Sequence, residues 1–266
     1  MPDLLLTLPA GLALGAVLGL LGGGGGLIAV PLFGALFGWT IDDAGTASMA
    51  CVLTGSAVAL VGHRGANRLR VRVGVTYGVL GTAGAVAGSL AAFTVPNLVQ
   101  HIGLSGLLVT SGVLMLRKAR RLRRPGSATA PAAGLDAGIR PAVAVVATGI
   151  GAVVGLFGIS GGFLTVPALV AVAGLAVPEA TATALLVVMI NSTTALAARA
   201  SHITHLPTVA ALAAATGAGA LLGARYSRRV SAFGLAAGFG GLMLVIAVWE
   251  LHMAVASILL APLREQ

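Results

Sequence analysis

Apolar residues fall into ten segments, at about residues 4–21, 27–39, 44–62, 73–92, 98–116, 139–157, 160–174, 180–198, 206–224 and 232–260, separated by short polar or basic stretches. Most are long enough to cross a bilayer, which takes about 20 helical residues. Segments 27–39 and 160–174 are not: at 1.5 Å per residue they reach only roughly 20 to 22 Å. Each follows a glycine-rich break, GLLGGGGGLIAVP at 19–31 and GLFGISGGFLTVP at 155–167. Glycines stop the preceding helix, and a proline (Pro31, Pro167) removes a donor from the next one. Backbone groups freed in this way are stranded in hydrocarbon unless protein buries them or they line a polar cavity. The pattern predicts an all-α integral membrane protein in which each short segment pairs with the helix before it as a hairpin. A break duplicated in two halves points to a transporter's substrate site.

The two breaks belong to a longer repeat. Residues 15–31 placed on 151–167 match at Gly15, Ala16, Val17, Gly19, Leu20, Gly22, Gly25, Gly26, Val30 and Pro31. Asp43 then falls on Glu179 and Ser56 on Ser192, and with a one-residue shift Gly84 and Gly88 fall on Gly219 and Gly223. We therefore expect a first membrane repeat at 1–116, a basic linker at 117–138 and a second membrane repeat at 139–266. If each hairpin returns to the side it left, each half holds a hairpin and three spans, and the halves are inverted. If each break lies within one bent span, the halves are parallel and the chain has eight spans; the total is eight to ten membrane segments. Basic clusters at Arg64–Arg72, at 117–124 and at Arg225–Arg229 then face the cytoplasm in the inverted arrangement, leaving only Arg199 and Arg264 outside. The length of 4–39, about 54 Å as one helix against a core of roughly 30 Å, favours the inverted arrangement.

Composition agrees with membrane burial: 58% of residues are hydrophobic and the mean hydropathy is +1.02, beyond the range of soluble domains. With 39 glycines and few aromatics, close backbone approach must carry helix packing, at pairs such as Gly15/Gly19, Gly84/Gly88, Gly151/Gly155, Gly219/Gly223 and Gly234/Gly238. The net charge of +9 sits in loops between spans, a topological pattern rather than a nucleic-acid footprint. The opening MPDLLLTLPAGLALG lacks a basic n-region and reads as mature structure. A lone Cys51 excludes an intramolecular disulfide.

A transported anion must exchange its hydration shell for protein donors, since burying an unpaired ion costs several kcal/mol. Helix starts after the breaks offer free N–H groups and a positive dipole end. The candidate substrate-binding residues there are Gly24, Gly25, Gly26, Ser160, Gly161 and Gly162. A second group is Asn191 and Ser192, polar within an apolar span, with Thr54 and Ser56 at similar depth in the first half. The bland reading of all of these is helix packing. Asp42, Asp43 and Glu179 read as helix-start residues, and Glu250 and His252 as either a proton relay or an interfacial end near Trp249. His63, His101, His202 and His205 show no metal-ligand spacing, and no nucleotide-binding or hydrolase motif is present, so neither cofactor nor catalysis is expected.

The duplicated G-x-x-G-x-x-G-G break with its V-P pair, the repeat period, the basic central linker and the small-residue helices near Gly84 and Gly219 resemble the TauE/SafE family of sulfite-exporter-like permeases. The resemblance covers nearly the whole chain. It implies a multi-pass permease of the bacterial inner membrane that moves sulfite, a sulfonate or another small sulfur-containing or organic anion by alternating access. The first break departs from the second, with Gly23 and Gly24 where Ile159 and Ser160 stand. The expected partners are a small anion and the lipid bilayer, with a homodimer admitted and nucleic acid not. The competing class is a non-transporting membrane assembly whose breaks only pack helices.

Overall fold

The computed structural model describes residues 2–23, 25–63, 68–92, 97–123, 141–157, 162–198 and 205–260. Among these it has ten α-helices and no strand: α1 (Pro2–Leu21), α2 (Gly25–Phe37), α3 (Ile41–His63), α4 (Val71–Ala92), α5 (Asn97–Leu122), α6 (Pro141–Phe157), α7 (Gly162–Ala171), α8 (Val177–Ala198), α9 (Leu206–Ser227) and α10 (Ala232–Leu260). Five contain a stretch long and apolar enough to cross a membrane: Asp43–His63, Ile102–Leu122, Val177–Ala197, Leu206–Ser227 and Ala232–His252. The short segments become short helices, and each contains its proline inside rather than before it. Pro31 and Pro167 cannot donate to the carbonyls four residues earlier, those of Leu27 and Phe163. The last helix runs without interruption past Trp249 to Leu260.

Small residues set the helix contacts, and the order of those contacts fixes the direction of each helix. Along α1, Gly11 faces Leu212, Ala215 and Thr216, Gly15 faces Thr216 and Ala220, and Gly19 faces Ala220 and Ala224, so α1 and α9 run parallel. Gly219 and Gly223 approach α1 in return, at Leu12 and Ala16. The same device joins α4 to α6, where Gly84 and Gly88 lie on Thr148 and Ala152 and Gly151 lies on Gly81. Without side chains at these points the backbones come close enough for dispersion contact along a whole seam, the attraction available between helices when lipid removes the hydrophobic drive. By contrast Gly234 and Gly238 make no backbone approach to another helix.

Helix α3 runs with α9, since Thr54 and Val58 meet Gly217 and Gly62 meets Leu221 and Ala224. Helix α8 runs with α4, from Gly74 on Leu186 to Gly78 on Ile190 and Gly81 on Asn191. The two sets oppose one another: Gly22, at the end of α1, lies on Thr181 near the start of α8, while Leu18 shares a buried cluster with Leu185 and Val188 further on. Helix α5 packs against α10, with Gly112 on Gly240 and Leu244 and the Arg123 guanidinium over Phe233 at 4.6 Å. The outer faces stay apolar, as in the exposed row Val71, Val75, Val79 and Val86 on α4 and in Val245, Val248 and Trp249 on α10. That is a surface suited to lipid.

Candidate functional site

At the first break α1 ends and the chain reverses. Gly22 and Gly23 take φ of +80° and +145°, which L side chains rarely adopt, and so the turn is available to glycine. Gly25 then lies beside Leu14 and Leu18, and Ala29 and Phe33 share a buried cluster with Ala10 and Leu14, so α2 runs back along α1. A Cβ on Gly22 would come within 2.5 Å of the Thr181 carbonyl oxygen, and one on Gly23 within 2.6 Å of the Gly162 Cα. The first break therefore touches the start of α7 backbone to backbone. Gly25, Gly26 and Gly162 are buried, and neither α2 nor α7 carries an acidic residue in its first turn. Two helix starts, whose first N–H groups have no partner within their own helix and whose first turns hold no acidic residue, thus meet inside the bundle.

The neighbouring polar groups divide by what their protons do. Ser48, on α3, donates to the Gly26 carbonyl at 3.3 Å and ties α2 to α3. One turn on is Val52, in one buried cluster with Val188 of α8. Ser56 and Ser192 are buried and each follows its valine by four residues, about 6 Å along its helix; because α3 and α8 run in opposite directions, the two hydroxyls lie on opposite sides of that level. Thr54 donates to Ala50 O at 3.0 Å and Ser56 to Leu53 O at 3.0 Å, so each presents lone pairs rather than a proton. Asn191 turns toward α4, where the Thr82 hydroxyl lies 3.2 Å from its Oδ1 and 2.9 Å from Gly78 O and donates to one or the other. Thr193 and Thr194 are exposed and bond back to Met189 and Ile190. Gly24, Ser160 and Gly161 lie outside the described residues.

Three residues near this crossing were not singled out from sequence. Ser48 and Thr181 sit in ordinary small-residue helical surroundings, with no local signal that they face the breaks. Tyr77 is 2% exposed with its hydroxyl unpartnered, and it shares a core with Phe163 and Leu164 at the start of α7. A tyrosine in an otherwise small-residue helix was the available clue.

The matched carboxylates Asp43 and Glu179 do different work. Asp43 accepts from Thr40 Oγ1 at 2.7 Å while its own N–H reaches that hydroxyl at 3.2 Å, a reciprocal cap at the start of α3. Glu179 instead pairs with Arg70 across α8 and α4 at 2.8 Å, and Arg70 N–H reaches Thr183 Oγ1 at 3.2 Å. Near the start of α9, His205 stacks on Trp39 with centroids 5.1 Å apart. Among the described residues no group of three His, Cys, Asp or Glu side chains is placed to hold a metal ion.

These features define a membrane protein that is helical throughout its described elements and in which the two glycine breaks meet, Gly23 against Gly162. The family model described as sulfite exporter TauE/SafE matches residues 7–249, and the chain belongs to that family. It is 35% identical over 176 residues to a protein named "Probable membrane transporter protein" from Xylella fastidiosa (strain 9a5c), covering 63% of each chain. A relative of the same printed name from Xylella fastidiosa (strain Temecula1 / ATCC 700964) is 35% identical over 175 residues, again covering 63% of each. The match thus spans somewhat less than two thirds of these curated relatives. No solved structure matches the chain.

Proposed function

We propose that this protein is a multi-pass permease that moves a small anion, such as sulfite, a sulfonate or another sulfur-containing or organic anion, by alternating access around the crossing of its two glycine breaks. The observation that carries the reading is the backbone contact of Gly23 with Gly162, which brings the starts of α2 and α7 together away from any carboxylate in their first turns. A dipole end contributes about 0.3–1 kcal/mol, up to roughly 2 when partly buried. Two such ends do not offset an ion's desolvation, so direct N–H donation at about 1.5–3 kcal/mol per bond to a charged group must supply the rest. Gly25, Gly26 and Gly162 let an anion approach those N–H groups because no side chain intervenes. Ser56 can join only by turning its proton from the Leu53 carbonyl to substrate.

The reading includes inverted repeats. Its support is that α1, α3 and α9 run one way and α4, α6 and α8 the other, with α1 opposing its sequence counterpart α6 and α3 opposing α8. In that arrangement the basic loops lie on the cytoplasmic side of the inner membrane.

The test is anion flux in proteoliposomes with a panel of sulfite, thiosulfate, sulfonates and small carboxylates. Flux above empty vesicles is expected for at least one. Gly162→Val, which fills the crossing, should lower it at least tenfold per folded molecule, while Gly106→Ala, at an open position, should leave it unchanged. Absence of both binding and flux for the whole panel would favour a packing-only assembly.

A further inference from the structure

At the ends of α3 and α9 two side chains and two carbonyls form a hydrogen-bond chain. His63 is 4% exposed and Ser227 is 1% exposed. His63 Nδ1 lies 2.9 Å from Ala59 O, His63 Nε2 lies 3.2 Å from Ser227 Oγ, and Ser227 Oγ lies 3.0 Å from Ala224 O. The Ala224 carbonyl needs Ser227, because the N–H that would ordinarily bond it, that of Arg228, goes to Arg225 O instead.

The chain has three links, and each needs a proton. A carbonyl only accepts, so the Nδ1 link requires Nδ1–H and the Ala224 link requires the serine proton. With a neutral imidazole there are two protons for three links. Either Ser227 turns to Nε2 and abandons Ala224 O, or Nε2 and the serine oxygen face one another with no hydrogen between. A second proton on the imidazole, at Nε2, satisfies all three links at once. We propose that His63, Ser227 and the carbonyls of Ala59 and Ala224 form a proton-binding site whose occupation clamps the ends of α3 and α9 together.

The charged groups acting on the imidazole are the guanidinium of Arg68, on the segment leading into α4, and that of Arg228, beyond the end of α9. Both are cations that oppose the added proton, so it is held by the hydrogen-bond chain rather than by a carboxylate. A pH-dependent switch in helix–helix contact is the result.

The test is nuclear magnetic resonance of the full chain in lipid nanodiscs with isotope-labelled histidine, titrated with acid, the His63 signal being assigned by its loss in His63→Gln. At high pH the Nδ1–H tautomer is expected, and at low pH a doubly protonated ring. Ser227→Ala removes the acceptor for Nε2–H and should lower proton affinity about tenfold or more, moving the midpoint down by roughly one pH unit. Ser227→Thr, which keeps the hydroxyl, should hold it. Spin labels at the exposed positions Val61 and Leu222 should show a narrower separation on acidification in the parent chain and no change with pH in His63→Gln. An Nε2–H tautomer at high pH, or a midpoint indifferent to Ser227→Ala, would overturn the proposal. Neither measurement depends on transport.

Discussion

Glycine does two physically different jobs in this chain, and the difference is visible only residue by residue. At Gly22 the need is conformational, a positive φ that lets α1 stop and α2 turn back. At Gly15, Gly84, Gly88, Gly151 and Gly219 the backbone is ordinary helix, and the need is space for a neighbouring carbonyl. Gly106 has neither need, since a Cβ there meets nothing within 4 Å. Gly151→Ala should therefore destabilise by about 1–3 kcal/mol, the usual cost of overpacking, as its methyl is driven into the Gly81 carbonyl. Gly106→Ala should be neutral or stabilise by about 0.5–1 kcal/mol through helix propensity. Melting temperatures of the two purified variants, read by size-exclusion chromatography after heating, separate the cases. An equal fall in both would mean that the α4–α6 seam does not depend on that contact.

At the scale of helices, the polar residues of α8 face two different neighbours. Glu179 and Thr183 reach α4 through Arg70, Thr181 meets the α1 break, and Asn191 meets Thr82 of α4 a few turns later. The Arg70–Glu179 pair, with side chains 52% and 20% exposed, is of the kind that contributes about 0–1 kcal/mol. Asn191 lies beside the Thr82 hydroxyl of α4, 3.2 Å from its Oδ1. Asn191→Ala is expected to cost about 1 kcal/mol of stability, one hydrogen bond, while Thr82 falls back on Gly78 O. Anion affinity per folded molecule should stay within about twofold of the parent, measured by isothermal titration with the substrate that the liposome panel identifies. A loss of tenfold or more would place Asn191 against substrate instead.

For the whole molecule, the opposing directions of the two helix sets lead to a prediction about sidedness. In inverted repeats Arg229, beyond α9, shares the cytoplasmic side with the loop between α3 and α4. Cysteine introduced as Arg229→Cys in a Cys51→Ala background should resist a membrane-impermeant thiol reagent in intact cells and react after permeabilisation. Rapid labelling of intact cells would contradict that placement.

Much of this was legible in the sequence because its cause is local or periodic. Length and hydropathy mark the spans, since a bilayer demands about 20 apolar residues wherever they occur. The duplication is plain from identities at a constant offset, and the small-residue spacings at Gly15/Gly19, Gly84/Gly88 and Gly219/Gly223 announced close packing one turn at a time. What they packed against was not announced: spacing along one helix says nothing about which other helix answers it. Only the tertiary structure decided that α1 lies on α9 and α4 on α6, that Gly23 meets Gly162, and that Asn191 turns to Thr82. The union of His63 with Ser227 is of the same kind, 164 residues apart in the chain and 3.2 Å apart in space. A hydrogen bond between distant helices depends on their relative rotation, which is settled by packing over the whole bundle rather than by the residues that make the bond.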